Sequence, residues 1–157
     1  IAKGFGMEVF AFDPYCPASV MEAEGVKPIT DINELYSTCQ YVSLHIPATN
    51  ETKKSINYAL LKQMPKGAML INTARKEVIN EEELVQIMDE RPDFRYVSDI
   101  TPDNASVFAE KFTGRYFFTP KKMGAQTAEA NINAGIAAAK QSVGFLKEGI
   151  DKFKVNK

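Results

Sequence analysis

The chain has 157 residues, of which 45% are hydrophobic and 25% charged, a composition typical of one globular domain with a core. Its 19 basic and 20 acidic side chains leave a net charge of −1, which argues against nucleic acid or an anionic membrane as a partner. No apolar run approaches the ~20 residues of a membrane-spanning helix. Cys16 and Cys39 lack metal-ligand spacing, so we expect reduced thiols in a cytoplasmic protein without a metal site.

Short apolar runs alternate with helical patterns along the chain, which predicts a parallel β-sheet with crossover helices. Residues 1–4 resemble the last turn of a helix, which Gly4 and Gly6 end. The predicted strands are residues 8–12, 26–29, 41–45, 68–72, 95–100 and 116–119, with a short terminal strand at 153–155. The predicted helices are residues 18–23, 32–37, 57–63, 81–90, 105–112 and 127–147.

Polar residues mark the starts of two of these helices. Asp31 precedes the helix at 32–37, and Glu34 follows three residues later, which is the spacing of a capping box. Asn80 precedes the helix at 81–90, whose acidic first turn suits the positive end of the helix dipole. We therefore expect Asp31 and Asn80 to be N-caps.

The predicted strands are apolar on both faces, which is typical of a doubly wound sheet with helices on both sides. In such sheets, ligands bind at the carboxyl ends of the strands. The polar residues that follow the predicted strands are Asp13, His45, Asn72, Thr73, Arg75, Asp99, Lys121 and Lys122. Because these strand ends meet at one edge of the sheet, we predict that the side chains form one site.

Asp13 follows a strand in the manner of a dinucleotide-binding fold. An acidic residue there accepts hydrogen bonds from the adenosine ribose and repels a 2′-phosphate, which selects NAD over NADP. The alternative interpretation is an ordinary turn at Asp13-Pro14. The glycine motif G-x-G-x-x-G belongs ~20 residues before the acid, ahead of Ile1. The sequence thus predicts a dinucleotide-binding domain without its first strand and glycine-rich turn. By itself, such a chain is expected to be inactive and to bind NAD weakly or not at all.

Several motifs resemble the D-isomer-specific 2-hydroxyacid dehydrogenase family. They are the runs GMEVFAFDPY (6–15), SLHIPATNET (43–52), LLKQMPKGAMLINTAR (60–75) and EVINEEEL (77–84). The resemblance extends from Gly6 to about Asn156. The run TPKKMGAQTAEA (119–130) is similar to a subgroup of short phosphoglycerate dehydrogenases that carry lysine in place of the usual histidine.

This resemblance implies a Rossmann-type fold, truncated at its N-terminus, with NAD as the cofactor. It implies a dinucleotide-binding domain over residues 1–126 and, over 127–157, a helix and tail that return toward an absent substrate domain. The implied protein is a homodimer that oxidises D-3-phosphoglycerate to 3-phosphohydroxypyruvate in serine biosynthesis. The alternatives are a hydroxypyruvate or glyoxylate reductase of the same family and a non-catalytic NAD-sensing protein.

The resemblance also implies roles for individual residues. Arg75 would bind the substrate carboxylate and polarise the C2 oxygen, for which a guanidinium offers a planar, permanently charged fork. Asp99 would accept a hydrogen bond from the nicotinamide carboxamide. The other cofactor-binding residues would hold the adenosine ribose (Asp13), line the cleft (His45, Pro47 and Thr52) or present backbone to the nicotinamide (Thr73 and Ala74).

The sequence departs from the family pattern near these residues. Lys76 stands where the family has glycine, which is costly if the position needs a positive φ. The family's usual glutamate would lie near Asp103 or Asn104, and its usual histidine is absent. The histidine that the sequence does contain, His45, follows a different strand and is expected to be a wall of the cofactor cleft.

The proton of the C2 hydroxyl must then go to another group. The candidates are Lys121 and Lys122, and Lys121 is preferred by counting forward from Pro120. An unperturbed lysine with a pKa of ~10.4 is a weak base at neutral pH. Burial or a nearby cation such as Arg75 would lower that pKa. The alternative is that both lysines are solvated and the chemistry is lost.

Overall fold

Short parallel strands and helices alternate through the first part of the chain. The computed structural model describes residues 1–120 and 127–154, and the chain divides into two units, Ile1–Pro120 and Lys121–Lys157. The described strands are β1 (Phe10–Ala11), β2 (Lys27–Pro28), β3 (Tyr41–Leu44), β4 (Met69–Asn72), β5 (Arg95–Ser98) and β6 (Tyr116–Phe118). The described helices are α1 (Ala18–Ala23), α2 (Ile32–Thr38), α3 (Tyr58–Gln63), α4 (Glu81–Glu90), α5 (Ala105–Lys111) and α6 (Ala128–Glu148).

The strands of the first unit form two separate sheets. β1 pairs with β2, and the larger sheet has the order β3-β4-β5-β6, with every pair parallel. Each connection in the larger sheet carries a helix: α3 before β4, α4 before β5 and α5 before β6. This is the repeated strand–helix–strand unit that the sequence predicts, and the α/β, Rossmann-type class is confirmed.

One face of the larger sheet lies on the hydrophobic core. Burial alternates along β3, where Val42 and Leu44 are buried while Tyr41 and Ser43 are exposed. Helices α2 to α5, with the residue that follows α5, complete the core with the buried side chains of Tyr36, Leu60, Leu61, Leu84, Ile87, Met88, Phe108 and Phe112. Each such side chain contributes roughly 1.5–3 kcal/mol relative to its exposed state, so this face fixes the sheet in place.

The second face of the same sheet is open within residues 1–120. Tyr41 is 49% exposed and Phe117 is 61% exposed, and the register places Ile71 and Val97 in line with Phe117. Apolar residues do occupy both faces, as the sequence shows, but the described helices of this unit cover only one of them.

Two predicted N-caps have different outcomes. Asp31 caps α2, since its Oδ1 accepts a hydrogen bond from the backbone N–H of Asn33 at 2.9 Å. Asn80 makes no side-chain cap bond to α4, so that prediction is wrong. Its backbone N–H donates instead to the carbonyl of Ile56 at 2.9 Å, next to a parallel bridge between Ile56 and Ile79. The backbone pairing, not the side chain, fixes where α4 begins.

The first residues form the predicted helical turn. Residues Ala2–Phe5 make a short 3₁₀ helix that ends at Gly6, whose φ of 75° is in the left-handed region. Gly4 lies inside this turn and does not end it. The segment therefore confirms Gly6 as the helix stop.

The described part of the second unit is dominated by α6. Thr127 caps it through a 3.0 Å bond from the N–H of Ala130, and Gly149 ends it with φ 70°. The predicted strand at 153–155 is wrong in its described part, because the N–H of Lys154 closes a turn onto Asp151. Val155 lies outside the described residues. In the described part of the chain, no helix combines the length and apolarity needed to cross a membrane.

Candidate functional site

The carboxyl ends of three neighbouring strands lie level with one another. Leu44 of β3, Asn72 of β4 and Ser98 of β5 are register partners across the sheet. Because the strands are parallel, the segments that follow them leave the sheet at the same edge. His45, Thr73 and Asp99 are the first residues of those segments, so these predicted site residues meet at one edge.

A cleft opens between the segments after β3 and β4. Residues 45–48 and 73–75 line it, and its volume is about 520 Å³, within the usual range for small-molecule sites. We name it the Arg75 cleft. The predicted site residues that line it are His45, Pro47, Thr73, Ala74 and Arg75.

Asn72 shapes the turn that presents Arg75 to this cleft. The Asn72 residue is 0% exposed, and its Nδ2 donates to the carbonyl of Arg75 at 3.0 Å. Its Oδ1 accepts from the N–H of Ala74 at 3.0 Å. One buried amide thus satisfies two backbone groups of the turn. Asn72 was predicted to lie at the site, but its bonds to the turn were not predicted, although a polar residue closing an apolar strand was the available signal.

The guanidinium of Arg75 is exposed and retains free bonding capacity. Its Nη1 donates to the carbonyl of Ala74 at 2.9 Å. A guanidinium has further N–H donors in a planar fork, and these can bind a carboxylate in the cleft. The group is therefore placed and charged as an anion anchor requires.

His45 is held by a neighbour on its own strand end. Its Nε2 lies 3.0 Å from the hydroxyl of Ser43, two residues earlier, and the two groups share a hydrogen bond. Residues two apart on an extended chain point to the same side, so this contact follows from the strand geometry. With Nε2 engaged, Nδ1 is the ring nitrogen left for a ligand in the Arg75 cleft.

Thr52 closes the loop that forms one wall of the cleft. Its hydroxyl donates to the carbonyl of Pro47 at 2.6 Å and accepts from the N–H of Thr49 at 2.7 Å. These bonds hold Pro47 within the loop of residues 47–52. A direct contact between Thr52 and the cofactor stays a prediction.

Asp99 and Asp13 lie at the ends of two different sheets. The backbone N–H of Asp99 donates to the carbonyl of Asn72 at 3.1 Å, which anchors the segment after β5 to β4. Asp13 follows β1, and its Oδ1 accepts from the N–H of Tyr15 at 2.9 Å, as in the alternative turn interpretation. An exposed carboxylate has capacity for further donors, such as ribose hydroxyls. The cofactor roles of both residues stay predictions.

Lys76 does not have the strained backbone that a glycine position suggested. Among the described non-glycine residues, Lys54 has a positive φ and Lys76 does not. The backbone strain expected at Lys76 is therefore absent. The ammonium of Lys76 bonds the carboxylate of Asp103 at 2.6 Å. This hydrogen bond raises the pKa of Lys76.

The two candidate positions for the family's glutamate are both engaged. The carboxylate of Asp103 is taken by Lys76, and the side-chain amide of Asn104 donates to the carbonyl of Glu81 at 3.2 Å. The predicted proton-transfer residues, Lys121 and Lys122, lie outside the described residues.

The described residues fit a nicotinamide dinucleotide. The cleft lies at the carboxyl ends of parallel strands, and it combines exposed backbone, a histidine and an arginine at one end of the site. Within residues 1–120 and 127–154, no group of at least three histidine, cysteine or acidic side chains is arranged to hold a metal ion.

Comparison with known proteins agrees with this geometry. Residues 1–116 match the family described as "D-isomer specific 2-hydroxyacid dehydrogenase, NAD binding domain". The chain is 36% identical, over 99% of its length, to D-3-phosphoglycerate dehydrogenase 2, chloroplastic, of Arabidopsis thaliana. It is 34% identical, over 70% of its length, to D-lactate dehydrogenase of Escherichia coli.

A solved structure is similar over the same extent. It is the NAD+-bound 3-phosphoglycerate dehydrogenase of Entamoeba histolytica, with 47% identity, a TM-score of 0.85 and 99% of this chain covered. The chain spans 49% of that structure's chain, 25% of the plant protein and 33% of the bacterial one. The chain belongs to the D-isomer-specific 2-hydroxyacid dehydrogenase family, within its NAD-binding domain.

Proposed function

We propose that this protein oxidises D-3-phosphoglycerate to 3-phosphohydroxypyruvate with NAD, a reaction of serine biosynthesis. The observation that carries the proposal is the position of Arg75, which shares one cleft with His45, Thr73 and Ala74. Two of the relatives compared above are named as 3-phosphoglycerate dehydrogenases. The third, a D-lactate dehydrogenase, supports the wider class of NAD-dependent 2-hydroxyacid dehydrogenases.

In this proposal, Arg75 binds the substrate carboxylate and the oxygen on C2. Its guanidinium stays charged at physiological pH, and its paired donors match those two oxygens. Asn72 keeps the guanidinium in place by holding the turn on both sides of the Ala74–Arg75 peptide. Asp13 holds the adenosine ribose. The chemistry that NAD supplies when bound is acceptance of the hydride from C2.

The hydroxyl on C2 must lose its proton as the hydride leaves. We assign that proton to Lys121 or Lys122, with Lys121 preferred. The histidine available in this sequence, His45, bonds Ser43 and serves as a wall of the Arg75 cleft. We also propose that the protein acts as a homodimer in the cytoplasm, on a small phosphorylated 2-hydroxy acid, without a nucleic-acid or membrane partner.

Turnover by the complete gene product tests this function. With D-3-phosphoglycerate and NAD, we expect the absorbance of reduced nicotinamide to rise. Replacement of the acting lysine, Lys121→Ala or Lys122→Ala, lowers kcat by roughly 10²- to 10⁴-fold, the usual contribution of a positioned acid or base. The exposed Lys140 of α6 provides the control, and Lys140→Ala leaves kcat unchanged.

Other outcomes of the same assay support the alternatives. Faster reduction of hydroxypyruvate or glyoxylate than oxidation of D-3-phosphoglycerate would favour the reductase. NAD binding by calorimetry without turnover of any 2-hydroxy acid would favour the sensor and contradict the enzyme proposal.

A further inference from the structure

Two departures from the family pattern contact each other in this structure. Lys76 replaces a glycine directly after Arg75, and Asp103 lies in the segment where the family has glutamate. The Nζ of Lys76 and the Oδ1 of Asp103 are 2.6 Å apart. These residues follow neighbouring strands, β4 and β5, so their bond joins the two segments that leave the sheet at the site.

The segment after β5 is also hydrogen-bonded to the start of α4. The carboxylate of Glu81, the first residue of α4, accepts from the N–H of Asp103 at 3.0 Å and from the N–H of Asn104 at 3.3 Å. The side-chain amide of Asn104 returns a bond to the carbonyl of Glu81. The segment is therefore held between α4 and Lys76.

Lys76 and Arg75 face different clefts. Lys76 lines a second cleft of about 770 Å³ with Glu81, Asp103 and Asn104, whereas Arg75 lines the Arg75 cleft. Arg75 has extended backbone, with φ −143° and ψ 144°, and a short 3₁₀ helix begins at the next residue, Lys76. Since Lys76 does not line the Arg75 cleft, its ammonium does not contact a ligand there, and its effect on that ligand is indirect.

The charges in the second cleft favour this link over an anion site. Lys53, Lys54 and Lys76 line it, but so do four carboxylates, those of Glu77, Glu81, Glu82 and Asp103. The hydrogen bond to Asp103 raises the pKa of Lys76, so its ammonium stays charged through neutral pH and above. A permanently charged lysine is a poor proton acceptor and a durable partner for a carboxylate.

We propose that Lys76 is a positioning residue, whose ion pair with Asp103 ties the turn carrying Arg75 to the segment after β5 and so fixes the guanidinium at the cleft. The proposal rests on the proposed function for its effect on substrate, and on the structure alone for the link between the segments. It gives Lys76 and Asp103 one shared role in this chain.

Hydrogen exchange in the complete gene product tests the link without reference to activity. We expect Lys76→Ala and Asp103→Ala each to speed amide exchange in both segments, 73–76 and 103–104, by about two- to fivefold, the scale of an exposed ion pair. The reversed pair, Lys76→Asp with Asp103→Lys, restores slow exchange in both. Lys111→Ala, which removes another exposed ion pair, that with Asp89, leaves both segments unchanged.

Kinetics then test the effect on the site. The same single variants raise the KM for the 2-hydroxy acid about two- to fivefold, which is more than they raise the KM for NAD, and both effects are rescued by the reversed pair. Unchanged exchange in both single variants, or no rescue by the reversed pair, overturns the proposal. Absence of turnover in the unmodified protein refutes the proposed function instead, and the exchange result still decides the link.

Discussion

The side-chain amide of Asn72 bonds two backbone groups of the turn that carries Arg75. It is fully buried and bonds one backbone N–H and one backbone C=O, which belong to Ala74 and Arg75. Removing the amide takes one hydrogen-bond partner from each of these backbone groups in a partly buried turn, and each lost bond costs about 1–3 kcal/mol.

Asn72→Ala is therefore expected to destabilise the protein and to misplace Arg75. We expect a loss of about 2–4 kcal/mol, seen as a Tm lower by about 5 °C or more. Asn72→Asp keeps the acceptor for Ala74 but faces the carbonyl of Arg75 with an oxygen, so it also lowers the Tm. Asn131→Ala, at an exposed position of α6, is the matched control. A Tm for both Asn72 variants equal to that of the control contradicts this role.

At single positions, the sequence predicts which residues meet but not how they are held. His45, Pro47, Thr73, Ala74 and Arg75 line one cleft, because each follows a strand of the same parallel sheet, and their binding roles stay predictions. The part played by Asn72 was missed, because a side-chain bond to a turn depends on the path of the backbone. The strain expected at Lys76 was wrong for the same reason, since a glycine in relatives does not fix φ in this chain.

At the scale of elements, Arg91 and Asp93 join three segments at the end of the sheet opposite the site. Arg91 donates to the carbonyls of Met64 and Pro65 and to Oδ2 of Asp93, each at 2.8 Å. Oδ2 of Asp93 also accepts from the N–H of Gly67 at 2.6 Å. The group thus connects the end of α4 to the turn before β4 and to the start of β5.

These bonds predict a pH dependence of stability. The hydrogen bond from Arg91, with that from Gly67, lowers the pKa of Asp93 from 3.8 to about 2. The stabilisation is present above the unfolded pKa and is lost as the pH falls from about 4 to about 2, where the folded carboxylate takes up its proton. We expect this stabilisation to be about 1–2 kcal/mol at neutral pH. It is measured as the difference in free energy of unfolding between the protein and its Asp93→Asn variant.

The control for this experiment is Asp89→Asn, since Asp89 is exposed and lies 3.8 Å from Lys111. The difference in free energy of unfolding between the Asp93→Asn variant and the unmodified protein should shrink toward zero as the pH approaches about 2. The free energy of unfolding of Asp89→Asn should match that of the unmodified protein at every pH. A gap that stays constant from neutral pH to about pH 2 is incompatible with the ionic role of Asp93.

Elements were predicted more reliably than their ends. The alternation of strand and helix is confirmed for β1 to β6, because apolar runs and helical spacing are local properties of the sequence. Predicted strands 8–12 and 95–100 shorten to Phe10–Ala11 and Arg95–Ser98, since a strand ends where its neighbour stops pairing. The prediction that Asn80 caps α4 was wrong because α4 begins next to a bridge between Ile56 and Ile79. This bridge is a tertiary contact, which the local sequence does not reveal.

At the scale of the whole molecule, the fold class could be predicted but not the covering of the sheet. Apolar residues on both faces correctly indicate a sheet built for burial on both sides. The sequence pattern does not say which segment covers each face, and within the first unit one face is open at Tyr41 and Phe117. Membership of the family was predictable because its motifs recur in order along the chain.

The proposed function depends most on Arg75, which would anchor the substrate at the carboxyl edge of the parallel sheet. The direct test is kcat/KM of the complete gene product for D-3-phosphoglycerate after Arg75→Ala, beside Arg95→Ala at the amino end of β5. We predict a loss of roughly 10²- to 10³-fold for Arg75→Ala, with Arg95→Ala within about twofold of the unmodified protein. Equal activities of the two variants would contradict this role of Arg75.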